Sequence, residues 1–428
     1  MVGSDPKFQS YDRADRVMSP DAYRAGSRRL QPIALLSLLV PLSFVIAQCS
    51  KSPNPGMLAA NSQASTGDSF DDRFPKPQFK DRFPTASESL VQRQASDLPG
   101  PRTASAGPAP YRVASLAPQL PYQGPAKQDQ TTLVSLKSSA FPYLGNNPHT
   151  DEPFLNVSRG DRRGHRGMGG RVFWQDQTYN DNRVLMHVPE GFDIRKPGVI
   201  VVFFHGNGAT LERDVRDRQQ VPQQISDSGV NAVLLAPQLA VDAADSSAGK
   251  FWQPGGLKRF VTESADHLAA LYGDPRAAKV FANMPVIIVG YSGGFVPAAW
   301  SLEVGGLGNR VRGVLLLDAV YGELDKFASW IENNRSGFFV SSYTHYTKRH
   351  DDELMHMLRE KSISVSEDMD RPLKPGSVVF VETPEGVTHR NYVTQAWTED
   401  PLKEVLVKMA AASALTRVAA SASSPANR

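Results

Sequence analysis

Two short glycine-rich stretches carry the residue types that acyl transfer needs. The first is Gly290-Tyr291-Ser292-Gly293-Gly294, which fits the pattern G-x-S-x-G. A serine flanked by glycines can be raised on a sharp turn, with its hydroxyl open to attack a carbonyl. The apolar run 284–289 leads into this stretch, and 295–300 (FVPAAW) leaves it as a helix start. The second stretch is His205-Gly206-Asn207-Gly208, directly after the apolar run 199–204. Acyl transfer passes through a tetrahedral oxyanion, and two preorganised N–H donors must meet it. The expected pair is the amide of Gly293 and one from the second turn, at Asn207 or Gly208. His205 reads as a brace for that turn.

These turns need elements to hold them. Strand-length apolar runs lie at 170–175, 183–188, 198–204, 231–236, 284–290, 312–317, 337–342 and 377–382. Helical periodicity fills 211–227, 259–272, 294–303, 323–333, 350–361 and 397–412. Near-continuous Val/Ile/Leu runs fit strands buried on both faces. Their alternation with helices predicts an α/β fold, with a central, mostly parallel eight-stranded sheet flanked by helices. No helix separates the first two runs, so 170–175 and 183–188 are expected to pair as an antiparallel hairpin at one edge.

With HGNG after one strand, GYSGG after a later one and a histidine after the last, residues 170–412 resemble an α/β-hydrolase. The resemblance implies that fold, the chain order nucleophile–acid–histidine, and a serine hydrolase cleaving an ester, or else an amide, through an acyl-enzyme. His389, in Thr388-His389-Arg390-Asn391 beyond the strand 377–382, takes the place of the base. His345 and His350 come too early in the chain for that role. Asp318 ends the run Leu315-Leu316-Leu317-Asp318 and so stands at a strand's C-terminal edge; some members of the family take the acid from there. Asp325 is the alternative acid. Tyr291, Phe251 and Trp252 are expected to wall the substrate pocket. No cofactor and no metal are expected. Two other readings share the sequence: a catalytically inactive binding protein tethered to the envelope, supported by the lack of a carboxylate just after 337–342, and a serine peptidase.

The chain has 428 residues, 47 Lys+Arg against 44 Asp+Glu, and a net charge of +3. That balance argues against nucleic acid as the partner and fits a small acyl ester or amide. The single cysteine excludes an internal disulfide. Residues 1–31 form a polar, basic leader. Residues 32–49 hold a short apolar run with the layout of an export signal or membrane anchor. Cleavage after Ala47, retention as an anchor, and lipidation at Cys49 are the three ways it would be processed, and the periplasm or cell envelope is the expected location. The Pro/Ser-rich stretch 50–129, which repeats DRFP at 72–75 and 81–84, is expected to be a disordered tether. The domain itself is placed at 130–412, with a disordered tail at 413–428.

Overall fold

Alternate residues of each central strand enter two different hydrophobic cores. Ile200, Val202 and Phe204 belong to one, and Val201 and Phe203 to the other. A strand buried on both faces cannot alternate apolar with polar, which is why these runs are continuous. The computed structural model describes residues 121–167 and 170–422, with side chains to 413. The stretches expected to be a leader, an export segment and most of the tether, with Cys49 and the DRFP repeats, lie outside the described residues, as does the tail beyond 422.

Eight strands form the central sheet: β1 Gln130–Ser135, β2 Arg183–Val188, β3 Val199–Phe204, β4 Ala232–Pro237, β5 Val286–Tyr291, β6 Val311–Leu317, β7 Phe338–Tyr343 and β8 Val378–Glu382. Their order is β1-β2-β4-β3-β5-β6-β7-β8. Only β2 runs against its neighbours; every other pairing between strands is parallel. The helices are α1 Val221–Asp227, α2 Gly256–Tyr272, α3 Phe295–Glu303, α4 Leu324–Asn333, α5 Lys348–Glu360 and α6 Pro401–Ala422. α2, α3, α4 and α5 put Phe260, Ala298, Phe327 and Leu354 into the first core. α1 and α6 put Ile225 and Leu406 into the second. Helices thus cover both faces of the sheet. A π-helical turn, Leu211–Arg218, precedes α1.

The eight-stranded, mostly parallel sheet is as expected, but one of its members differs. Residues 172–174 belong to a separate three-stranded antiparallel sheet with Val157–Arg159 and Arg162–Arg166. The expected hairpin between 170–175 and 183–188 does not form. A one-turn helix, Gln175–Thr178, and a loop separate them, and β1 takes the edge position on β2 instead. β1 (QTTLVS) is polar and only half-buried, so it carries no strong apolar signal. α6, expected to end at 412, continues to Ala422. Residues 121–129 already pack on the domain: Ala126 is buried and exchanges backbone bonds with Phe192 and Gly191.

Candidate active site

The C-terminal ends of β3, β5 and β6 open toward one edge of the sheet, where α/β proteins place their ligands. β5 delivers Ser292. Its φ is +51°, in the left-handed region that a non-glycine residue adopts at a cost of about 1–3 kcal/mol. The glycines around it are dictated by packing. A Cβ on Gly294 would lie 2.2 Å from the Phe204 carbonyl oxygen, and one on Gly206 would lie 2.9 Å from Ser292 Cβ. β3 and β5 are adjacent, so the HGNG turn and the serine turn come together.

Ser292 Oγ lies 2.8 Å from His389 Nε2. His389 Nδ1 lies 2.6 Å from Asp318 Oδ2. The three residues brought together are therefore Ser292, His389 and Asp318, across 97 and 71 positions of sequence. Asp318 has no exposure. Burial pushes its carboxyl up, but the hydrogen bonds from His389 and Thr344 outweigh this and hold it below the usual carboxylate value. Besides His389, it accepts from Thr344 N at 3.0 Å, Thr344 Oγ1 at 2.9 Å and Thr347 Oγ1 at 3.0 Å. A buried carboxylate with this many donors stays ionised. Asp325, the alternative acid, sits in the first turn of α4 beside Lys326, with 75% of its side chain exposed. His345 packs at a tilt against Tyr346, with ring centroids 3.9 Å apart.

His389 is held by aromatic rings. Tyr291 stacks on the imidazole at 5.2 Å, and its hydroxyl donates to the His389 carbonyl oxygen at 2.7 Å. Burial pushes the Tyr291 phenol up to about 12, so it remains a donor across the working range. Tyr291 is thus a brace for the histidine, buried where a pocket wall was expected. The other two pocket residues are also corrected. Phe251 is fully buried in the core against Phe204 and Phe260. Trp252 is buried against Tyr143 and Phe154. An aromatic pair after a strand end reads the same in sequence whether it points inward or outward. The open rings beside His389 are Tyr321 and Tyr346, which sequence reasoning missed because nothing local marks them.

The amides expected to serve as oxyanion donors differ in their hydrogen bonding. The Gly208 amide is committed to the Ala243 carbonyl at 2.8 Å, so it is not free. The Asn207 amide has no partner among the described residues. The Gly293 amide lies in a first helical turn, where no intrahelical acceptor exists. Asn207 Oδ1 accepts from Ser246 Oγ at 3.1 Å and sits directly over Gly293. His205 braces the turn as expected: Nδ1 donates to the Gly206 carbonyl, and Nε2 accepts from the Leu239 amide. Burial lowers its pKa to about 4, which keeps it neutral.

The strand order, the single reversed strand, the serine turn after β5 and the histidine after β8 define one architecture. This is the α/β-hydrolase fold. No family model matches the chain, and no curated protein matches it. Among solved structures, it is similar to a feruloyl esterase module from Clostridium thermocellum complexed with sinapinate, at 13% identity and a TM-score of 0.36 over 63% of this chain and 94% of that one. It is similar to an S-formylglutathione hydrolase from Agrobacterium tumefaciens, at 10% identity and a TM-score of 0.32 over 58% and 94%. It is also similar to a hyperthermophilic esterase from Pyrobaculum calidifontis, at 14% identity and a TM-score of 0.31 over 61% and 85%.

Proposed function

We propose that the protein is a serine hydrolase that cleaves carboxylic esters through an acyl-enzyme. The observation that carries this reading is the aligned chain Ser292 Oγ–His389 Nε2 and His389 Nδ1–Asp318 Oδ2, at 2.8 and 2.6 Å. Ser292 Oγ attacks the ester carbonyl as His389 Nε2 takes its proton. Asp318 fixes the Nδ1–H tautomer and stabilises the imidazolium. The amides of Gly293 and Asn207 receive the oxyanion. His389 then returns the proton to the departing alcohol. Water, deprotonated by the same nitrogen, releases the acid and restores Ser292. The inactive-protein alternative draws on the lack of a carboxylate just after 337–342; the bond between Asp318 and His389 supports the hydrolase reading over it. The expected result is hydrolysis of nitrophenyl acyl esters by the full chain and its loss in Ser292→Ala; equal rates in a folded variant would sink the reading.

We further infer export to the cell envelope, from the layout of residues 32–49. The protein recovered from its cell should begin at Gln48, begin at a lipidated Cys49, or stay in the membrane fraction with residues 32–47 uncleaved as an anchor. Recovery of a soluble chain beginning at Met1 would contradict it.

A further inference from the structure

The loop after β4, residues 238–248, carries a polar anchor that the reaction scheme does not use. Asp245 Oδ1 accepts from the Ser247 amide at 2.9 Å and from the Ser247 hydroxyl at 2.7 Å. Asp245 Oδ2 accepts from the Tyr179 hydroxyl. Tyr179 is fully buried, with its ring against Phe141 and Phe154 at 5.0 and 4.9 Å. A second tie lies earlier in the loop, where the Val241 amide donates to the Thr178 carbonyl at 3.0 Å. Connecting loops are ordinarily the more mobile part of a fold. This one is fastened at two points to the segment 178–179.

What the loop holds in turn is HGNG. The Ala243 carbonyl accepts from the Gly208 amide at 2.8 Å. Arg213 spans the two segments, donating to the Gly208 carbonyl at 2.6 Å and pairing with Asp242 at 2.9 Å. The third contact is the bond from Ser246 Oγ to Asn207 Oδ1, at 3.1 Å. A Cβ on Gly293 would lie 2.2 Å from Asn207 Oδ1 and 2.6 Å from Ser246 Oγ. The Ser246–Asn207 pair therefore rests directly on Gly293. Gly293 stands at a free position of G-x-S-x-G, so the pattern does not require a glycine there. The pair above it does.

We propose that Ser246 is a positioning residue for the oxyanion hole. Its hydroxyl fixes the Asn207 side chain over Gly293, and with it the direction of the Asn207 amide. The proposal rests on the serine-hydrolase reading of Ser292. Asn207 is exposed and lies between Gly206 and Gly208, and Gly208 has a φ of +73°. Glycine on both sides leaves that backbone free to adopt other conformations. An oxyanion donor is effective because its direction is set before the charge develops. Through Asp245 and Tyr179, Ser246 supplies the constraint that the turn itself lacks. It acts on the transition state through Asn207, without a bond of its own to the ester.

The test is steady-state hydrolysis of nitrophenyl acyl esters by the full chain: wild type, Ser246→Ala, Asn207→Ala and the double variant, each with a thermal melt. Ser246→Ala should lower kcat and kcat/KM alike by about five- to thirtyfold, short of the 10²–10³-fold cost of removing an oxyanion donor outright. KM should stay within about twofold, the pattern of an interaction made only in the transition state. The double variant should be no slower than Asn207→Ala, because the hydroxyl acts through that side chain. An unchanged kcat in folded Ser246→Ala overturns the proposal. So does a loss confined to KM, or a further loss when Ser246→Ala is added to Asn207→Ala. If Ser246→Ala does not fold, Asn207→Ala carries the test: it keeps the backbone amide but loses Oδ1, and an unchanged kcat refutes the role. Hydrolysis that survives in Ser292→Ala counts against the serine-hydrolase reading. Hydrolysis that is lost in Ser292→Ala but intact in Ser246→Ala counts against Ser246 alone.

Discussion

Ser292 was legible because its neighbours are glycines for steric reasons that show in the sequence. Asp318 was legible because an apolar strand ends on a carboxylate. The donors that make Asp318 work, Thr344 and Thr347, were not: they reach it from the segment after a different strand, and no spacing announces that. Nor did the sequence distinguish Phe251 and Trp252, which face the core, from Tyr321 and Tyr346, which stay open beside His389. Asp318→Asn keeps the shape but alters the donor pattern at His389 Nδ1. It should lower kcat by roughly 10⁴-fold, the loss expected when the imidazole adopts the wrong tautomer. Asp325→Asn, exposed and paired only at the surface, should leave turnover within a factor of two or so. Steady-state kinetics of the two variants test the assignment, and the reverse ranking would contradict it.

At the scale of elements, the central strands were readable because burial on both faces leaves little choice of residue. β1 escaped because an edge strand with one solvated face is half polar. Hydrophobicity alone favours the central sheet for the stretch 172–174, but hydrophobicity does not say which sheet a strand joins. The closest constraint lies between β3 and the turn into α3. There Gly294 faces the Phe204 carbonyl, and neither backbone can give way. Gly294→Ala should therefore destabilise by about 1–3 kcal/mol through overpacking and should also displace Ser292. A lowered thermal midpoint together with reduced turnover is expected. An unchanged midpoint would show that the two elements are not held as described.

For the whole molecule, two buried groups set opposing pH dependences of stability. The imidazole of His205 falls from 6.5 to about 4 on folding. Between those values only the unfolded chain takes up its proton. Stability from this group is therefore full above pH 6.5 and declines by about 3 kcal/mol as pH falls to 4. The Asp351 carboxyl rises from 3.8 to about 7. Between those values only the folded chain holds its proton, so stability declines by about 4 kcal/mol as pH rises to 7. From pH 4 to 6.5 the two slopes largely cancel, and the wild-type melting temperature should change little. Asp351→Asn should uncover the histidine slope, with stability rising from pH 4 to 6.5. A flat profile in the variant, by calorimetry, would contradict the histidine assignment.

The central claim is that Ser292 is an activated nucleophile at the edge of this sheet. It is tested most directly by treating the full chain with a fluorophosphonate and mapping the adduct by mass spectrometry. One adduct is expected, on Ser292, and it should be absent from Ser292→Ala. A folded wild-type protein that takes up no label, or takes it up at another residue, would contradict it.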